Sequence, residues 1–227
     1  MAATSTATAD DTWRRLQFFF EDKLHMRLES LIVLAVLCIA LSIASPFFLS
    51  VSNFLNILLA STTIGVLAIA ATLILSSAGL DLSIGSVMAL AGVVGAYFCV
   101  VLELPWFMAI IGALGTGAAA GFINGLLVTK TRIPAFIVTL GMLGIARGLS
   151  FIISPNGGAI YGLPSVVVYL GQGRPFGIPT PVIILAFVAI AAHYALAYSR
   201  FGRHTLAMGD NENAARATGI PVERLRL

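Results

Sequence analysis

Residues 64–100 read IGVLAIAATLILSSAGLDLSIGSVMALAGVVGAYFCV, and this stretch decides the fold. Two apolar runs flank the short segment SSAGLDLS, and Asp81 is the only charged residue in the whole stretch. Runs of about 20 apolar residues are long enough to cross a bilayer core of roughly 30 Å as helices. The stretch therefore predicts a hairpin of two membrane-spanning helices, with Asp81 in the turn between them.

The rest of the chain has the same apolar character. Of its 227 residues, 59% are hydrophobic and only 10% are charged, whereas soluble domains carry roughly 25% charged residues. Between Ser30 and Lys130 the only charged residues are Asp81 and Glu103. The strand-like alternation of a transmembrane barrel does not occur in the sequence. We therefore predict an all-α integral membrane protein.

Six apolar runs predict six transmembrane helices, over residues 30–50, 57–79, 83–102, 106–128, 133–153 and 179–199. The segments between them, 51–56, 80–82, 103–105, 129–132 and the longer 154–178, are predicted as loops. This division gives three regions. Residues 1–29 form an N-terminal tail whose second half has the mixed pattern of an amphipathic helix, 30–199 form the transmembrane domain, and 200–227 form a polar segment.

The basic residues predict the orientation, because lysine and arginine concentrate in cytoplasmic loops. They occur in the N-terminal tail, in the 129–132 loop and after the sixth span, whereas the 51–56 and 103–105 loops carry none and the long 154–178 loop carries only Arg174. Six spans with a cytoplasmic N-terminus satisfy this distribution. The Asp81 turn and residues 200–227 are then cytoplasmic. The positive charge sets orientation in this interpretation, so we expect no nucleic-acid partner.

The turn between the second and third spans explains how a carboxylate can lie in so apolar a region. Gly79 allows the backbone to turn after the second span. Asp81 or Ser83 can then cap the first turn of the third span, where a negative charge interacts favourably with the helix dipole. We therefore expect Asp81 and Ser83 to form a hairpin cap.

Three polar residues within the spans are candidates for the transport pathway, because polar side chains in a membrane are costly and are often functional. Asn124 lies in the fourth span, and Thr139 and Arg147 lie in the fifth. Hydroxyl groups can bond their own helix backbone. Asn124 and Arg147 are therefore the more costly residues to bury.

The sequence contains no constellation of catalytic or metal-ligating residues, and we expect no cofactor. The segment GTGAAAG at 115–121 has the glycines of a dinucleotide loop but lies inside an apolar run, where the required strand is missing. A run of glycines four residues apart on one face instead predicts a helix-packing seam: Gly117, Gly121 and Gly125.

Residues 209–220, GDNENAARATGI, follow the last span directly. Asp210 or Asn211 can cap a short helix here, and Gly219 can end it in a left-handed conformation. A smooth face of small residues is expected on this helix, formed by Ala214, Ala215 and Ala217. A short helix with such a face suits docking onto another protein.

Three segments carry a resemblance to a known family: GLDLSIGSVMALAGVVGA at 79–96, GFINGLLVTKTRIPAFIVTLGMLGIARGLSF at 121–151 and FGRHTLAMGDNENAARATGIPVERLR at 201–226. On these segments the chain resembles the permease subunit of bacterial ATP-binding-cassette (ABC) importers for simple sugars, of the ribose, xylose and galactoside type. The resemblance implies an ABC importer permease fold, embedded in the lipid of the bacterial inner membrane. It also implies that the chain forms the translocation path for a monosaccharide.

The same resemblance implies three protein partners. These are a cytoplasmic ABC ATPase subunit, a periplasmic sugar-binding protein, and a second permease copy or related subunit. The ATPase subunit would hydrolyse ATP, so this chain would not itself be an enzyme. The stretch GDNENAARATG resembles the family's coupling segment, which docks onto the ATPase. The docking positions carried over by this resemblance are Gly209, Asn211, Ala214, Ala215 and Gly219.

Members of that family are longer and continue with further spans after the coupling segment. The resemblance therefore implies that this chain of 227 residues is truncated or needs a second polypeptide. Two alternatives stay open: an ion-coupled secondary transporter in which Asp81 binds a proton or cation, and a non-transporting fragment or scaffold. The scarcity of charge in the spans favours a sugar importer, because ion-coupled carriers usually bury charged groups for their ion.

Overall fold

Helices make up most of the computed structural model, which describes residues 30–131 and 133–226. Within these ranges the helices are α1 (Ser30–Ala44), α2 (Val51–Leu75), α3 (Ile84–Val100), α4 (Trp106–Thr131), α5 (Ala135–Ile153), α6 (Ser165–Gln172), α7 (Thr180–Tyr198), α8 (Arg200–Asp210), α9 (Glu212–Ala217) and α10 (Val222–Leu225). Two one-turn 3-10 helices, Pro155–Gly157 and Pro175–Gly177, flank α6. The prediction of a loop over 154–178 is therefore wrong for the residues of α6, which form an α-helix. The predicted tail and amphipathic helix over 1–29 lie outside the described residues.

Four of these helices, α2, α4, α5 and α7, are long and apolar enough to cross a membrane, and α1 and α3 are shorter apolar helices. The prediction of an all-α membrane protein is confirmed, because no strand occurs in the described ranges. The number of six spans stays a prediction. The chain divides into two units, residues 1–56 and 57–227, and every candidate site residue named above lies in the second.

The prediction of a loop over residues 51–56 is wrong, because α2 begins at Val51. Ser50 supplies the missing start signal. Its hydroxyl oxygen accepts the N–H of Asn53 at 3.2 Å, and its carbonyl accepts the N–H of Phe54 at 3.1 Å. A serine in this position pairs an N–H group that has no partner within the helix. The helix therefore begins earlier than hydropathy alone indicates.

The core of the second unit is built on α3, which packs against α4 and α5. Glycine allows the closest approach. A Cβ atom on Gly95 would lie 2.8 Å from the carbonyl oxygen of Ala109, and one on Gly112 would lie 2.9 Å from the ring of Phe98. Of the predicted seam, Gly117 and Gly121 do not make such a contact within the described chain, since no atom outside their own helix backbone lies within 4 Å of a Cβ built on them.

A single residue, Ser199, joins α7 to α8. Its hydroxyl oxygen accepts the N–H of Gly202 at 3.1 Å and so caps α8. The chain bends sharply here, and a Cβ atom on Gly202 would overlap the carbonyl group of Leu196. No residue of α7 is buried by the described chain. Its exposed apolar side chains are what contact with lipid requires.

The contact between α3 and α4 can be tested by placing a methyl group in it. We expect Gly95→Ala to destabilise the protein by about 1–3 kcal/mol, because overpacking forces backbone shifts. The matched control is Gly92→Ala, one turn earlier in α3, where no described atom lies within 4 Å of the new Cβ. Thermal unfolding in detergent measures both, and equal midpoints would contradict the packing described here.

Candidate functional site

A cavity of about 840 Å³ lies at one end of the second unit. Its walls come from the turn between α2 and α3, the second half of α4, the start of α5, and the three short helices α8 to α10. Uncharged polar side chains line it together with apolar ones: Ser77, Asn124, Thr129, Thr139 and Thr205. The charged side chains that line it are Asp81, Glu212, Arg216, Glu223 and Arg226. Two of the three candidate pathway residues, Asn124 and Thr139, therefore line the same cavity as part of the candidate coupling segment.

The predicted short helix in the coupling segment is confirmed as α9. The side chain of Asn211 caps it, with Oδ1 accepting the N–H of Ala214 at 3.0 Å. The helix ends where Gly219 adopts a left-handed φ of 84° and Ile220 donates its N–H to the carbonyl of Ala215. Local signals alone thus set both ends of α9.

The alanine face of α9 is divided between solvent and core. Ala214 and Ala217 are exposed, whereas Ala215 is only 3% exposed and packs in a small cluster with Met208 and Val222. This cluster joins one residue from each of α8, α9 and α10. Ala215 therefore supports the segment from inside, and its neighbours on α9 are the residues that present a surface.

Ion pairs hold α9 and α10 together. One carboxylate oxygen of Glu212 accepts hydrogen bonds from Nε and Nη2 of Arg216, at 3.2 and 3.0 Å. The other oxygen accepts a hydrogen bond from Nη2 of Arg226 at 2.5 Å. Arg216 also lies 3.7 Å from Glu223. Hydrogen bonding to Arg216, with a further contribution from Arg226, holds the pKa of Glu212 below its usual range despite some opposing desolvation. The charges at this end of the cavity are therefore paired.

Gly209, near the end of α8, lies directly against the turn between α2 and α3. A Cβ atom at this position would overlap the carbonyl oxygen of Ser76 and would come within 3.4 Å of the amide nitrogen of Ala78. Backbone touches backbone here, and only glycine permits so close an approach. The sequence singled out Gly209 for docking, and the structure gives it this internal contact.

The turn itself reverses direction at Ala78, which has a φ of 54°, and not at Gly79 as the sequence suggested. The reason lies in the hydrogen bonds that end α2. Gly79 donates its N–H to the carbonyl of Ile74 at 3.1 Å, and this six-residue closure places the left-handed conformation on the preceding residue. Ala78 accordingly takes the position that usually favours glycine.

Asp81, Ser83 and Asn124 form a short chain of hydrogen bonds. Oδ1 of Asp81 accepts both the backbone N–H and the hydroxyl of Ser83 at 2.6 Å. The hydroxyl oxygen of Ser83 accepts Nδ2 of Asn124 at 3.1 Å, across 41 residues of sequence. Ser83 stands at the N-terminal end of α3, but within the described chain its side chain makes no capping hydrogen bond to that helix.

Asn124 is the most unusual member of this chain. It is 6% exposed in the middle of α4, and its Oδ1 is buried with no hydrogen-bond partner among the described residues. A buried acceptor without a donor costs about 1–3 kcal/mol. The link between the turn and α4 is therefore kept at a cost to stability.

The other two pathway candidates are placed differently. Thr139 is buried, lines the same cavity as Asn124, and donates its hydroxyl to the carbonyl of Ala135 at 2.9 Å. Arg147 is exposed on α5 and is not among the described residues that line the cavity. The structure thus brings Asn124 and Thr139 together and leaves Arg147 elsewhere.

Sequence reasoning missed three features of this site. The contact between Ser83 and Asn124 and the ion pair between Glu212 and Arg226 join distant positions. The contact of Gly209 with the turn could not be predicted without the fold. A glycine inside a helix nevertheless indicates a close contact, because glycine weakens a helix by about 1 kcal/mol and needs a reason to be there.

The comparisons with known proteins define the class. A family model described as the permease component of branched-chain amino acid transport systems matches residues 53–227. The chain therefore belongs to this family of membrane permeases.

The similar curated proteins are more specific in their names. The chain is 38% identical over 212 residues to the ribose import permease protein RbsC of Escherichia coli K12, covering 92% of this chain and 66% of that protein. It is 34% identical to the D-allose transport system permease protein AlsC of the same strain, covering 84% and 59% of the two chains. It is 36% identical to the L-arabinose ABC transporter permease protein AraH of Azospirillum brasilense, covering 86% and 57%.

The chain thus spans somewhat less than two thirds of the length of these curated relatives. No solved structure matches it.

The ion pairs of Glu212 predict a pH dependence. A lowered pKa in the folded segment means that ionised Glu212 stabilises the contact between α9 and α10 at neutral pH. That contribution is lost as the pH falls below about 4 and the carboxylate is protonated. Hydrogen exchange of residues 212–226, corrected for intrinsic rates, should therefore show protection at neutral pH that disappears in acid.

Glu212→Gln is the variant that isolates this effect. It should lower protection at neutral pH and match the wild type only once the pH has fallen below the lowered pKa of Glu212, where the wild-type carboxylate is also uncharged. Equal protection of the two proteins at neutral pH would show that the ion pairs do not hold α10 in place.

Proposed function

We propose that this chain is the permease subunit of an ATP-driven importer that carries a monosaccharide across the bacterial inner membrane. Its similarity to permeases named for ribose, D-allose and L-arabinose carries this proposal. In this proposal α1 to α5 and α7 provide six spans with the N-terminus in the cytoplasm, and residues 200–227 are cytoplasmic. ATP hydrolysis belongs to a separate ATPase subunit. A periplasmic sugar-binding protein and a second permease copy complete the importer.

The uncharged polar side chains of the cavity suit a hydroxyl-rich substrate, and the charged side chains from α9 to Arg226 are paired with one another. Its volume of about 840 Å³ lies within the range of small-molecule sites. Four hydroxyls in its lining donate to backbone carbonyls three or four residues earlier in the chain, at 2.7 Å for Ser77 and Thr129, 2.9 Å for Thr139 and 2.8 Å for Thr205. Each hydroxyl oxygen then keeps acceptor capacity for a sugar hydroxyl. In this proposal Asn124 and Thr139 are pathway residues, and Arg147 has a role outside this cavity.

The exposed part of α9 is proposed as the surface that docks onto the ATPase. Asn211, Ala214 and Gly219 are exposed on it, and Ala215 and Gly209 position it from within, through the cluster with Met208 and through the turn. ATP binding would move this surface, and the spans would open alternately to the two sides of the membrane. At the same end, Asp81 is proposed to hold the turn before α3 by accepting the N–H and the hydroxyl of Ser83; Ser83 itself does not cap the helix.

Transport in vesicles tests the function directly. The chain should be reconstituted as part of its complete importer, with the ATPase and the binding protein, and assayed with radiolabelled D-ribose, D-allose and L-arabinose. We expect uptake of at least one sugar only when ATP is present inside. Asp81→Asn should keep this uptake, because its Oδ1 can still accept from Ser83.

The alternatives predict other results in the same vesicles. Uptake that follows an ion gradient without ATP, and that Asp81→Asn abolishes, would show a secondary transporter in which Asp81 binds the ion. Retained association with the ATPase but no uptake of any of the three sugars would show a scaffold. Either result would overturn the proposal.

Two neighbouring alanines test the docking surface. Ala214→Arg should weaken co-purification of the ATPase by about tenfold or more, because an exposed arginine obstructs the surface. Ala215→Arg should instead unfold the segment, because it forces a charge between Met208 and Val222. Protease sensitivity of residues 200–226 distinguishes the two effects. Ala214→Ser, which keeps the side chain small, is the control, and normal binding by Ala214→Arg would exclude this surface.

A further inference from the structure

The turn between α2 and α3, residues 76–83, touches both halves of the site. On one side Gly209 of α8 packs on its backbone at Ser76 and Ala78. On the other side its last residue, Ser83, is 1% exposed and accepts the amide of Asn124 in α4. The turn is therefore the direct physical connection between the coupling segment and the buried middle of α4.

Both contacts are close ones between atoms with little freedom to rotate. The contact at Gly209 is backbone against backbone, without a side chain that could rotate away. Asp81 fixes Ser83 through two hydrogen bonds of 2.6 Å, so the hydroxyl of Ser83 cannot swing freely. Met208, beside Gly209, is 2% exposed and anchors α8 to α9 and α10. Movement of α9 must therefore move α8, and α8 cannot approach the turn further without displacing it.

Asn124, at the far end of this connection, is bonded to the turn through one side of its amide only. Its Oδ1 is buried without a partner in the described chain, so the present arrangement leaves one strong acceptor unused. A leucine of similar shape would avoid that cost. The asparagine keeps the hydrogen bond to Ser83, which a leucine would lose.

We propose that the α2–α3 turn relays displacement of the coupling segment to α4, with Gly209 as the input contact and the Asp81–Ser83–Asn124 chain as the output. This inference rests on the proposed function and adds a route by which docking reaches the cavity. The three polar residues are positioning residues in this route, because they set the place of α4 and Asn124 in the cavity wall.

Two variants interrupt the relay at its two ends. Gly209→Ala adds a methyl group that overlaps the carbonyl of Ser76. Asn124→Leu removes the amide bonded to Ser83 together with the unpaired Oδ1. Gly85→Ala is the matched control near the turn, since no described atom lies within 4 Å of its new Cβ. Asn124→Leu should unfold at the same temperature as the wild type or higher, which separates its effect from loss of folding.

The measured quantity is the amount of sugar taken up per ATP hydrolysed by the complete importer in vesicles. The sugar used is whichever of D-ribose, D-allose and L-arabinose the wild type transports. We expect both variants to keep ATPase association and to lower this ratio about tenfold, a typical size for coupling between sites. The double variant should fall no further than the single ones, because both interrupt one connection. Asp81→Asn should behave like the wild type, and Asp81→Leu like Asn124→Leu.

A wild-type ratio in Asn124→Leu would overturn the relay, and so would full additivity in the double variant. If Gly209→Ala no longer associates with the ATPase, the transport ratio of Asn124→Leu alone tests the relay. If the wild type shows no ATP-dependent uptake, the proposed function fails, and hydrogen exchange still tests the relay. Gly209→Ala should then speed exchange of the Ser83 amide, which donates to Asp81. Unchanged exchange there would overturn the relay independently.

Discussion

A backbone N–H or carbonyl group without a partner is costly in hydrocarbon, and this constraint governs the described chain. Helices satisfy nearly all such groups internally, so the difficult positions are the turns. Local partners satisfy these groups at the two ends of α2. At its start, the hydroxyl of Ser50 accepts the N–H of Asn53, and at its end the carbonyl of Ile74 accepts the N–H groups of both Ser77 and Gly79. Polar groups consequently collect at helix ends, and the cavity is found at one such end.

Local signals in the sequence predicted local structure well. The bounds of α3, α4, α5 and α7 follow from hydropathy, and α9 follows from the cap at Asn211 and the left-handed Gly219. The errors arose where two local signals competed. Ser50 started α2 earlier than hydropathy indicated, and the closure from Gly79 to Ile74 placed the positive φ on Ala78. Both follow from hydrogen-bond geometry that residue preferences do not encode.

The candidate site was less predictable because its contacts join distant residues. Asn124 was a sensible candidate from its polarity, but no pattern in the sequence pairs it with Ser83 across 41 positions. Ala214 and Ala215 are chemically identical, and a helix of six residues is too short for periodicity to show which one is buried. The fold separates them, because Met208 and Val222 approach only one side of α9.

The single-residue joint at Ser199 has a mechanical consequence. A flexible linker would absorb small rotations, but a single capped residue between α7 and α8 leaves the angle between the two helices little freedom to change. With 11 residues, α8 is about 16 Å long. A rocking of α7 by about 10° would then swing the far end of α8 by roughly 3 Å if the angle at Ser199 is kept. A small tilt of the apolar helix α7 therefore becomes a larger displacement near the far end of α8, where Gly209 lies.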